Sequence, residues 1–254
     1  MSETDRSYSY RTSCARIAGR AHLQNGTPCQ DYVAARAQHD FACLALADGA
    51  GSKTYSEQGA RAVVKVVTRL LRARFENLWT LSERSPEDAS AELIEHCLAA
   101  LERHAAQLQC QTADLASTLM FVAHHKGRYL AGHLGDGCIV HQHEDGQVVV
   151  LSHPENGEYA NTTFFVTDAK ARKRLRWYRG ECANDSGFVV MSDGTAESLY
   201  RRSDKTPASA AVRQLMSWNR RANPSQMREV LLTNLERSIA SKTTDDCSIG
   251  IMSL

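Results

Sequence analysis

The sequence has no excess of charge of either sign and no long apolar run. Lys and Arg number 30 and Asp and Glu number 29 among 254 residues, which leaves a formal net charge of +1. This balance lacks the basic excess with which nucleic-acid-binding proteins contact phosphates, so we expect no nucleic-acid partner. No apolar stretch approaches the roughly 18–20 residues that cross a bilayer, and the polar N-terminus does not resemble a signal peptide. These absences predict a cytoplasmic protein with no membrane partner.

The eight cysteines form no Cys-x-x-Cys pair, and the chain has no internal repeat and no low-complexity segment. Most of the cysteines lie within apolar stretches, as Cys43 does. A chain of this length buries a large core without cross-links, so we expect reduced cysteines rather than a disulfide framework. No linker long enough to separate two units is present, which predicts a single domain over residues 1–254.

Hydrophobic patterning predicts strands and helices in an order that does not alternate regularly. Short apolar runs predict strands at 8–18, 41–47, 117–123, 128–132, 138–141, 148–151, 188–191 and 245–252. Apolar residues at helical spacing predict helices that begin near Ser56 and Ser85, and two more over 208–218 and 224–240. Residues 156–179 are expected to be irregular. This order is typical of an α+β fold.

Aspartates recur where the predicted strands begin or end: Asp31, Asp48, Asp136, Asp193, Asp245 and Asp246. Three of them precede a glycine, which allows a tight turn. A single Asp-Gly pair is ordinary turn chemistry, but carboxylates that converge at strand ends repel one another unless a cation lies between them. Mg²⁺ and Mn²⁺ prefer such oxygen ligands. The ordered set therefore predicts a site for hard divalent ions.

The order of these motifs resembles that of the metal-dependent protein phosphatases of type 2C. The motifs are Gln30-Asp31, Asp48-Gly49-Ala50-Gly51-Ser52, Ser56-Glu57-x-Gly59-Ala60, Ser117-Thr118-Leu119, Gly135-Asp136-Gly137, Ser192-Asp193-Gly194 and Asp245-Asp246-Cys247-Ser248. Residues 22–31 and 157–168 are similar to one bacterial branch of this family. Members of that branch are often associated with a serine/threonine kinase and a von Willebrand factor A-type protein. The resemblance runs from about residue 13 to the C-terminus.

The resemblance implies two antiparallel β-sheets packed as a sandwich and flanked by α-helices. It also implies a serine/threonine protein phosphatase that uses two Mn²⁺ or Mg²⁺ ions, and a third that binds more loosely. Paired ions activate water and neutralise phosphoryl oxygens during in-line attack. The substrate would be a phosphorylated protein, and a cognate kinase and a von Willebrand factor A-type protein are the expected partners.

The family motifs also imply a role for each site residue. Asp48 would bridge both ions, the Gly49 carbonyl would bind the second ion, and Asp193 and Asp245 would hold the first. Asp136 would bind the third ion, and Asp31 would orient the metal-bound water. Asp31, Asp48 and Asp193 would thus carry catalysis, whereas Asp246 would be a neighbour rather than a ligand.

Three positions depart from the family pattern. Gln30 stands where Glu is common, Gly26 where a phosphate-binding Arg is common, and Ala50 where a His proposed as general acid is common. Four residues could supply the missing positive group, and the sequence does not choose among them: Arg16, Arg20, His22 and Lys53. The departures leave a second hypothesis open, a weakly metallated pseudo-phosphatase that binds or scaffolds phosphoproteins. The retained aspartates favour the active enzyme, and a phosphoesterase acting on small molecules is a more remote third hypothesis.

Three other features suggest functions that the sequence does not favour. His124-His125 and His141-x-His143 lack a third ligand at zinc spacing, so we expect solvated strand residues. The basic run at 170–176 could bind an acidic partner, but a solvated helix face is the simpler interpretation. No Cys-x5-Arg phosphate loop surrounds Cys29, which argues against a cysteine nucleophile.

Overall fold

A computed structural model describes residues 8–155 and 163–254. The strands of these residues, numbered in chain order, are β1 Arg11–Ile17, β2 Tyr32–Gln38, β3 Phe41–Ala47, β4 Leu119–His125, β5 Arg128–Leu134, β6 Cys138–Gln142, β7 Val148–Ser152, β8 Arg176–Glu181, β9 Gly187–Met191, β10 Tyr200–Arg201, β11 Thr206–Pro207 and β12 Cys247–Ser253. The α-helices are α1 Arg20–Asn25, α2 Ser56–Arg84, α3 Pro86–Leu108, α4 Ala171–Arg174, α5 Asp193–Leu199, α6 Ser209–Arg221 and α7 Pro224–Asn234. A 3₁₀ turn covers Thr112–Leu115, and a π-helical turn, Leu235–Ile239, extends α7.

Ten of these strands form two antiparallel five-stranded sheets. The first sheet has the order β1-β12-β9-β6-β7 and the second has the order β2-β3-β4-β5-β8. The two remaining strands pair only with each other, as a short hairpin. Two antiparallel sheets flanked by helices are the predicted α+β sandwich, so the fold prediction is confirmed.

β3 shows why the central strands are apolar throughout. Ala42, Leu44 and Leu46 point into the core between the two sheets, where they meet residues such as Val190 of the opposite sheet. The alternate residues of β3, from Cys43 to Ala47, pack against α2 and α3 on the outer face. Because side chains alternate along a strand and both faces are covered, every residue of β3 is buried.

The helices cover the outer faces of the sheets through apolar stripes at helical spacing. On α2, Ala60, Val63, Val64, Val67 and Leu71 are fully buried, as their spacing predicts. On α3, the side chain of Ser85 caps the N-terminus by accepting a hydrogen bond from Asp88, and Pro86 occupies the first turn. Helices α5, α6 and α7 contribute apolar residues to the core on the outer face of the first sheet.

Several local predictions are wrong, and each has a physical reason. Residues 156–179 were expected to be irregular, but Arg176–Glu181 forms β8, an edge strand that pairs with β5. The helices α1 and α5 were not predicted because six or seven residues are too few to show a period. Ser56, whose residue type favours the N-cap position, is instead the first residue of α2, after the N-cap Tyr55. Its hydroxyl donates to the carbonyl oxygen of Lys53 at 3.2 Å.

The predictions about cysteine and histidine have different outcomes. All eight cysteines are free thiols, as expected. His124 and His141 are buried rather than solvated, and burial lowers the pKa of each to about 4. His124 packs edge-on against Tyr10, and His141 stacks on Phe188, so both histidines take part in aromatic packing.

None of the helices in the described ranges is both long and apolar enough to cross a membrane.

Candidate metal centre

Strand pairing brings the aspartate-bearing strand ends to one end of the sandwich. In the second sheet, Tyr32 pairs with Ala47, so the residue before β2 and the residue after β3 are neighbours. In the first sheet, Met191 at the end of β9 pairs with both Cys138 and Ile249. The segments that carry Asp31, Asp48, Asp136, Asp193 and Asp245 therefore share one edge of the molecule.

A cavity of about 460 Å³ lies at this edge. Its described lining residues are His22, Gln30, Asp48, Gly49, Ala50, Gly51, Ser52, Thr118, Asp136, Thr163, Phe165, Asp193 and Asp245. Oxygen atoms of Asp48, Asp136 and Asp193 lie within 4.8 Å of one another, which makes them the group best placed to hold a cation. Asp245 is exposed and lines the same cavity outside this group.

Asp48 is held by hydrogen bonds to Thr118, which lies 70 residues later in the chain, directly before β4. The backbone N–H of Asp48 donates to the hydroxyl of Thr118 at 2.9 Å, and the N–H of Thr118 donates to the carbonyl of Asp48 at 2.8 Å. These reciprocal bonds fix the residue just beyond β3 against the start of β4. Gly49 pairs with Ser117 in an isolated bridge, and no described residue donates to the Gly49 carbonyl. That oxygen therefore has capacity to bind a cation.

The glycines after the aspartates allow a close approach of chain segments. Gly49 and Gly194 are not among the glycines with a positive φ, so backbone conformation does not require glycine at either position. A Cβ at Gly49 would lie 2.8 Å from the carbonyl oxygen of Gln30, and one at Gly194 would lie 2.3 Å from that of Asp246. Both separations are too short for any side chain. Glycine thus lets the loops meet around the cavity.

Asp193 and Asp136 are each anchored locally. Asp193 is the first residue of α5, and its Oδ1 accepts a hydrogen bond of 2.7 Å from the N–H of Gly194. Asp136 lies in the turn between β5 and β6, and its Oδ2 accepts a hydrogen bond from the hydroxyl of Thr163. Both aspartates keep oxygen lone pairs that face the cavity, because a carboxylate offers about four.

Two side chains next to the cavity carry buried oxygens that lack a hydrogen-bond donor among the described residues. Asp31 is fully buried, and neither of its carboxylate oxygens has a donor with good geometry, although the hydroxyls of Ser192 and Ser248 lie near enough to lower its pKa. The side-chain oxygen of Gln30 is also buried and lacks a donor. Orphaned buried oxygens are rare in proteins and indicate a missing cation or water.

The pKa values of the cavity carboxyls reflect this crowding. Burial, and then the neighbouring carboxylates of Asp245, Asp136 and Asp31, raises the pKa of Asp193 to about 8. Burial and the charge of Asp246 raise the pKa of Asp31 to about 7. Burial and the other aspartates also raise the pKa of Asp48, and burial raises that of Asp136. A divalent cation would reverse these shifts by favouring the ionised form.

Asp246 has a different role, as expected for a neighbour of the centre. Its carboxylate is buried and accepts hydrogen bonds from the N–H groups of Gly19 and Gln30, each at 2.6 Å. It also lies 2.8 Å from Nδ1 of His22. With these partners, the side chain ties the start of α1 to the segment before β12.

Of the four candidate positive groups, only His22 lines the described cavity. Arg16 donates to the carbonyl of Asp31 and lies 5.0 Å from the ring of Tyr32. Arg20 donates to the carbonyl of Thr243 at 3.1 Å. Lys53 lies in the turn before α2, outside the lining. The structure therefore brings one of the four predicted substrate-binding residues to the metal centre.

Thr118 and Thr163, which hold Asp48 and Asp136, were not assigned a role from the sequence. Their motifs were recognised, but hydroxyl-to-aspartate bonds between distant segments leave no local signal. Part of the second family stretch, Gly157 to Asn161, lies outside the described residues. The basic run beyond it is not simply solvated, because Arg174 and Arg176 each form an ion pair of 3.2 Å with Glu155.

Burial raises the pKa of the Cys29 thiol, and the charges of Asp31 and Asp246 add to this effect. The thiol therefore stays protonated at neutral pH. A protonated thiol is a poor nucleophile, in agreement with the sequence.

The donor set of the cavity fits Mg²⁺ or Mn²⁺. It consists of carboxylate oxygens, an amide oxygen and a free carbonyl, and no cysteine lines the cavity within the described residues. Hard divalent ions take such oxygen ligands, whereas zinc sites are usually rich in nitrogen or sulfur.

Comparisons with known proteins agree with this chemistry. The family model "Protein phosphatase 2C" matches residues 18–236. Serine/threonine-protein phosphatase 3 of Escherichia coli (strain K12) is 27% identical over 205 residues, which cover 78% of this chain and 79% of the relative.

Solved structures share the fold at low sequence identity. PppA of Pseudomonas aeruginosa, a key regulatory component of T6SS, superimposes with a TM-score of 0.65 at 15% identity, covering 98% of this chain and 99% of its own. The catalytic domain of the serine threonine protein phosphatase PstP, in complex with two manganese ions, gives a TM-score of 0.60 at 14% identity and covers 96% and 97% of the two chains.

Proposed function

The chain belongs to the protein phosphatase 2C family of metal-dependent serine/threonine phosphatases, and on that premise we propose that it is an active enzyme rather than a pseudo-phosphatase. It would hydrolyse phosphoserine and phosphothreonine in proteins by direct attack of water on phosphorus. The observation that carries this proposal is the acidic cavity, in which three aspartates place oxygens within 4.8 Å of one another.

The proposed ligands follow from the geometry of the cavity. Asp48, Asp136, Asp193 and Asp245 would supply carboxylate oxygens, and Gly49 would supply its unbonded carbonyl. Bound divalent ions would lower the pKa of the attacking water and neutralise the phosphoryl oxygens. The solved structure of PstP with two manganese ions supports a centre of two ions in this fold.

The protein's own residues would orient the reactants. Asp31 is buried beside the cavity with free carboxylate oxygens, so it can accept a hydrogen bond from the attacking water. Gln30 offers a neutral oxygen where the family commonly has a carboxylate, which would leave the second ion held by less negative charge. Thr118 and Thr163 would keep two ligands in place through the bonds described above.

Energetic considerations favour the active enzyme over a binding module. Burial of several carboxyls with raised pKa values destabilises the metal-free protein, because the folded state disfavours their ionised forms. A module that only binds phosphoproteins would gain nothing from such a cluster, since phosphate and carboxylate repel each other. A bound divalent cation removes both difficulties.

The substrate is a phosphoprotein, in keeping with the family. A cognate serine/threonine kinase and a von Willebrand factor A-type protein remain proposed partners. Cytoplasmic location and a single domain over residues 1–254 also remain proposals. The absence of a nucleic-acid partner is supported by the balanced charge of the chain.

Hydrolysis assays with two substrates test the proposal. We expect turnover of p-nitrophenyl phosphate and of a phosphothreonyl peptide in Mn²⁺ and none after exhaustive EDTA treatment, with recovery when Mn²⁺ returns. Asp48→Asn should lose turnover and metal binding while it stays folded. Asp145→Asn, an exposed turn residue whose side-chain acceptor is retained, is the matched control. Full activity in EDTA, or peptide binding without turnover in Mn²⁺, would refute the proposal.

A further inference from the structure

His22 lies on α1 at the edge of the metal cavity, and its two ring nitrogens have different surroundings. Nδ1 lies 2.8 Å from Oδ1 of Asp246. No described residue forms a hydrogen bond with Nε2, and the side chain is partly exposed where it lines the cavity that contains Asp48 and Asp193. With Nδ1 committed to the carboxylate, Nε2 is the nitrogen that a ligand in the cavity can reach.

The carboxylate of Asp246 defines the tautomer of the His22 ring. It already accepts hydrogen bonds from Gly19 and Gln30, so it is fixed in orientation and acts as an acceptor. Both carboxylate oxygens of Asp246 accept in these bonds, so we assign Nδ1 of His22 as the donor of the bond that joins the two side chains. Nε2 is then a free lone pair in the neutral ring and a hydrogen-bond donor toward the cavity in the protonated ring.

His22 is also the one histidine that lines the described cavity. Four of the other lining residues are the aspartates proposed as metal ligands, and Gln30 has an amide that does not transfer protons. Ser52, Thr118 and Thr163 carry neutral hydroxyl groups. The remaining lining residues are glycine, alanine and phenylalanine, whose side chains carry no transferable proton. Ala50 therefore supplies no acid, and outside the proposed metal ligands His22 is the described lining residue whose imidazole can transfer a proton.

From this arrangement we infer that His22 is the general acid of the reaction and that Asp246 is the residue that positions it. The inference rests on the proposed phosphatase function. Protonated Nε2 donates its proton to the ester oxygen of phosphoserine or phosphothreonine as the P–O bond breaks and its electron pair passes to that oxygen. The attacking water forms the new P–O bond and releases a proton to solvent. The neutral ring then takes a proton back, so that ester and water yield alcohol and inorganic phosphate.

Proton donation matters only when the leaving group is a poor one. A serine or threonine alkoxide needs a proton to leave, whereas p-nitrophenolate leaves readily as the anion. Loss of a general acid should therefore lower the rate for a phosphothreonyl peptide by about 10²–10⁴-fold and that for p-nitrophenyl phosphate by less than roughly tenfold. A purely structural role for His22 would lower both rates by one common factor.

His22→Asn is the variant that isolates this role. The Asn amide can donate to Asp246 in place of Nδ1, which keeps α1 anchored, but it offers nothing at the position of Nε2. His104→Asn, the same change at an exposed position on α3, is the matched control. Thermal unfolding and calorimetric titration of Mn²⁺ should give the wild-type result for both variants. If His22→Asn does not fold, His22→Gln takes its place in the same comparison.

The outcomes separate the inference from the proposed function. Wild-type protein that fails to hydrolyse the phosphothreonyl peptide in Mn²⁺ refutes the phosphatase proposal, and the role of His22 with it. Active wild-type protein with an equal loss on both substrates, or with no loss on the peptide, refutes the role of His22 alone. A loss confined to the peptide, with unchanged Mn²⁺ affinity, supports the inference.

Discussion

Replacing Asp193 by Asn tests whether the cavity carboxylates destabilise the protein until a cation binds. The change removes a charge and keeps the side-chain oxygen that accepts a hydrogen bond from Gly194 at 2.7 Å. Burial and the neighbouring aspartates raise the pKa of Asp193 from 3.8 to about 8. The folded protein therefore retains a proton that the unfolded chain has lost, and this difference disfavours folding at neutral pH.

The size of the effect follows from the same pKa. Each pKa unit corresponds to about 1.4 kcal/mol, so the full penalty at pH 7 is roughly 4 kcal/mol. Neighbouring carboxyls share the available protons. Replacing Asp193 alone should therefore raise the free energy of unfolding of the metal-free protein by about 2–4 kcal/mol. For a chain of this length, each kcal/mol changes the melting temperature by roughly 2–4 °C. We expect metal-free Asp193→Asn to melt roughly 5–10 °C above the metal-free wild type.

The pH dependence has a definite sign. Because the folded pKa of Asp193 lies above its unfolded value, the folded protein binds more protons between pH 4 and about 8. The stability of the metal-free wild type should therefore fall as pH rises through this window. The advantage of Asp193→Asn should grow over the same range, because the variant lacks the group that titrates.

Thermal unfolding of EDTA-treated protein at several pH values between about 5 and 8, inside this window, measures the effect. Added Mn²⁺ should stabilise the wild type and have little effect on Asp193→Asn, which reverses their order. Asp204→Asn is the matched control, since Asp204 is exposed and hydrogen bonding to Thr206 lowers its pKa. A metal-free Asp193→Asn that is no more stable than wild type at pH 8 would refute the reasoning.

Three further predictions concern the ligands and their supports. Gln30→Glu adds a charge beside the buried cavity, so calorimetric titration should show Mn²⁺ binding up to about tenfold tighter, and identical curves would place Gln30 outside the centre. Thr118→Val removes the hydroxyl that accepts from Asp48, so Mn²⁺ should bind more weakly, whereas Thr118→Ser should bind as wild type does. Because all eight cysteines are free, the melting temperature should not change with reducing agent, and a clear drop would indicate a disulfide.

Local pattern was sufficient to predict the main elements of the fold. The continuous apolar run of β3 and the helical stripes of α2 and α3 predicted buried elements at the correct places. The ordered aspartates predicted an acidic metal site at the strand ends, where the structure places Asp48, Asp136 and Asp193. The predicted elements are found because the period of a helix or strand is visible in neighbouring residues, whereas the metal site itself stays a prediction.

Short or edge elements could not be predicted in the same way. β8 follows a basic run and lacks a clear alternation of apolar and polar residues. It forms as a strand because it pairs with β5 at the edge of the second sheet. α5 begins at Asp193 and has seven residues, too few for a helical period. Burial of His124 and His141 depends on the second sheet layer and on aromatic neighbours, which no local pattern indicates.

The sequence by itself determined which residue types are available for chemistry: carboxylates and glycines in a fixed order, a balanced charge and no clustered cysteines. Tertiary structure alone decided which of them meet. It selected His22 among four candidate positive groups and joined it to Asp246, 224 residues away. It also paired Thr118 with Asp48 and Thr163 with Asp136. The physical reason is that antiparallel register between distant strands sets these distances, and register depends on the packing of both sheets together.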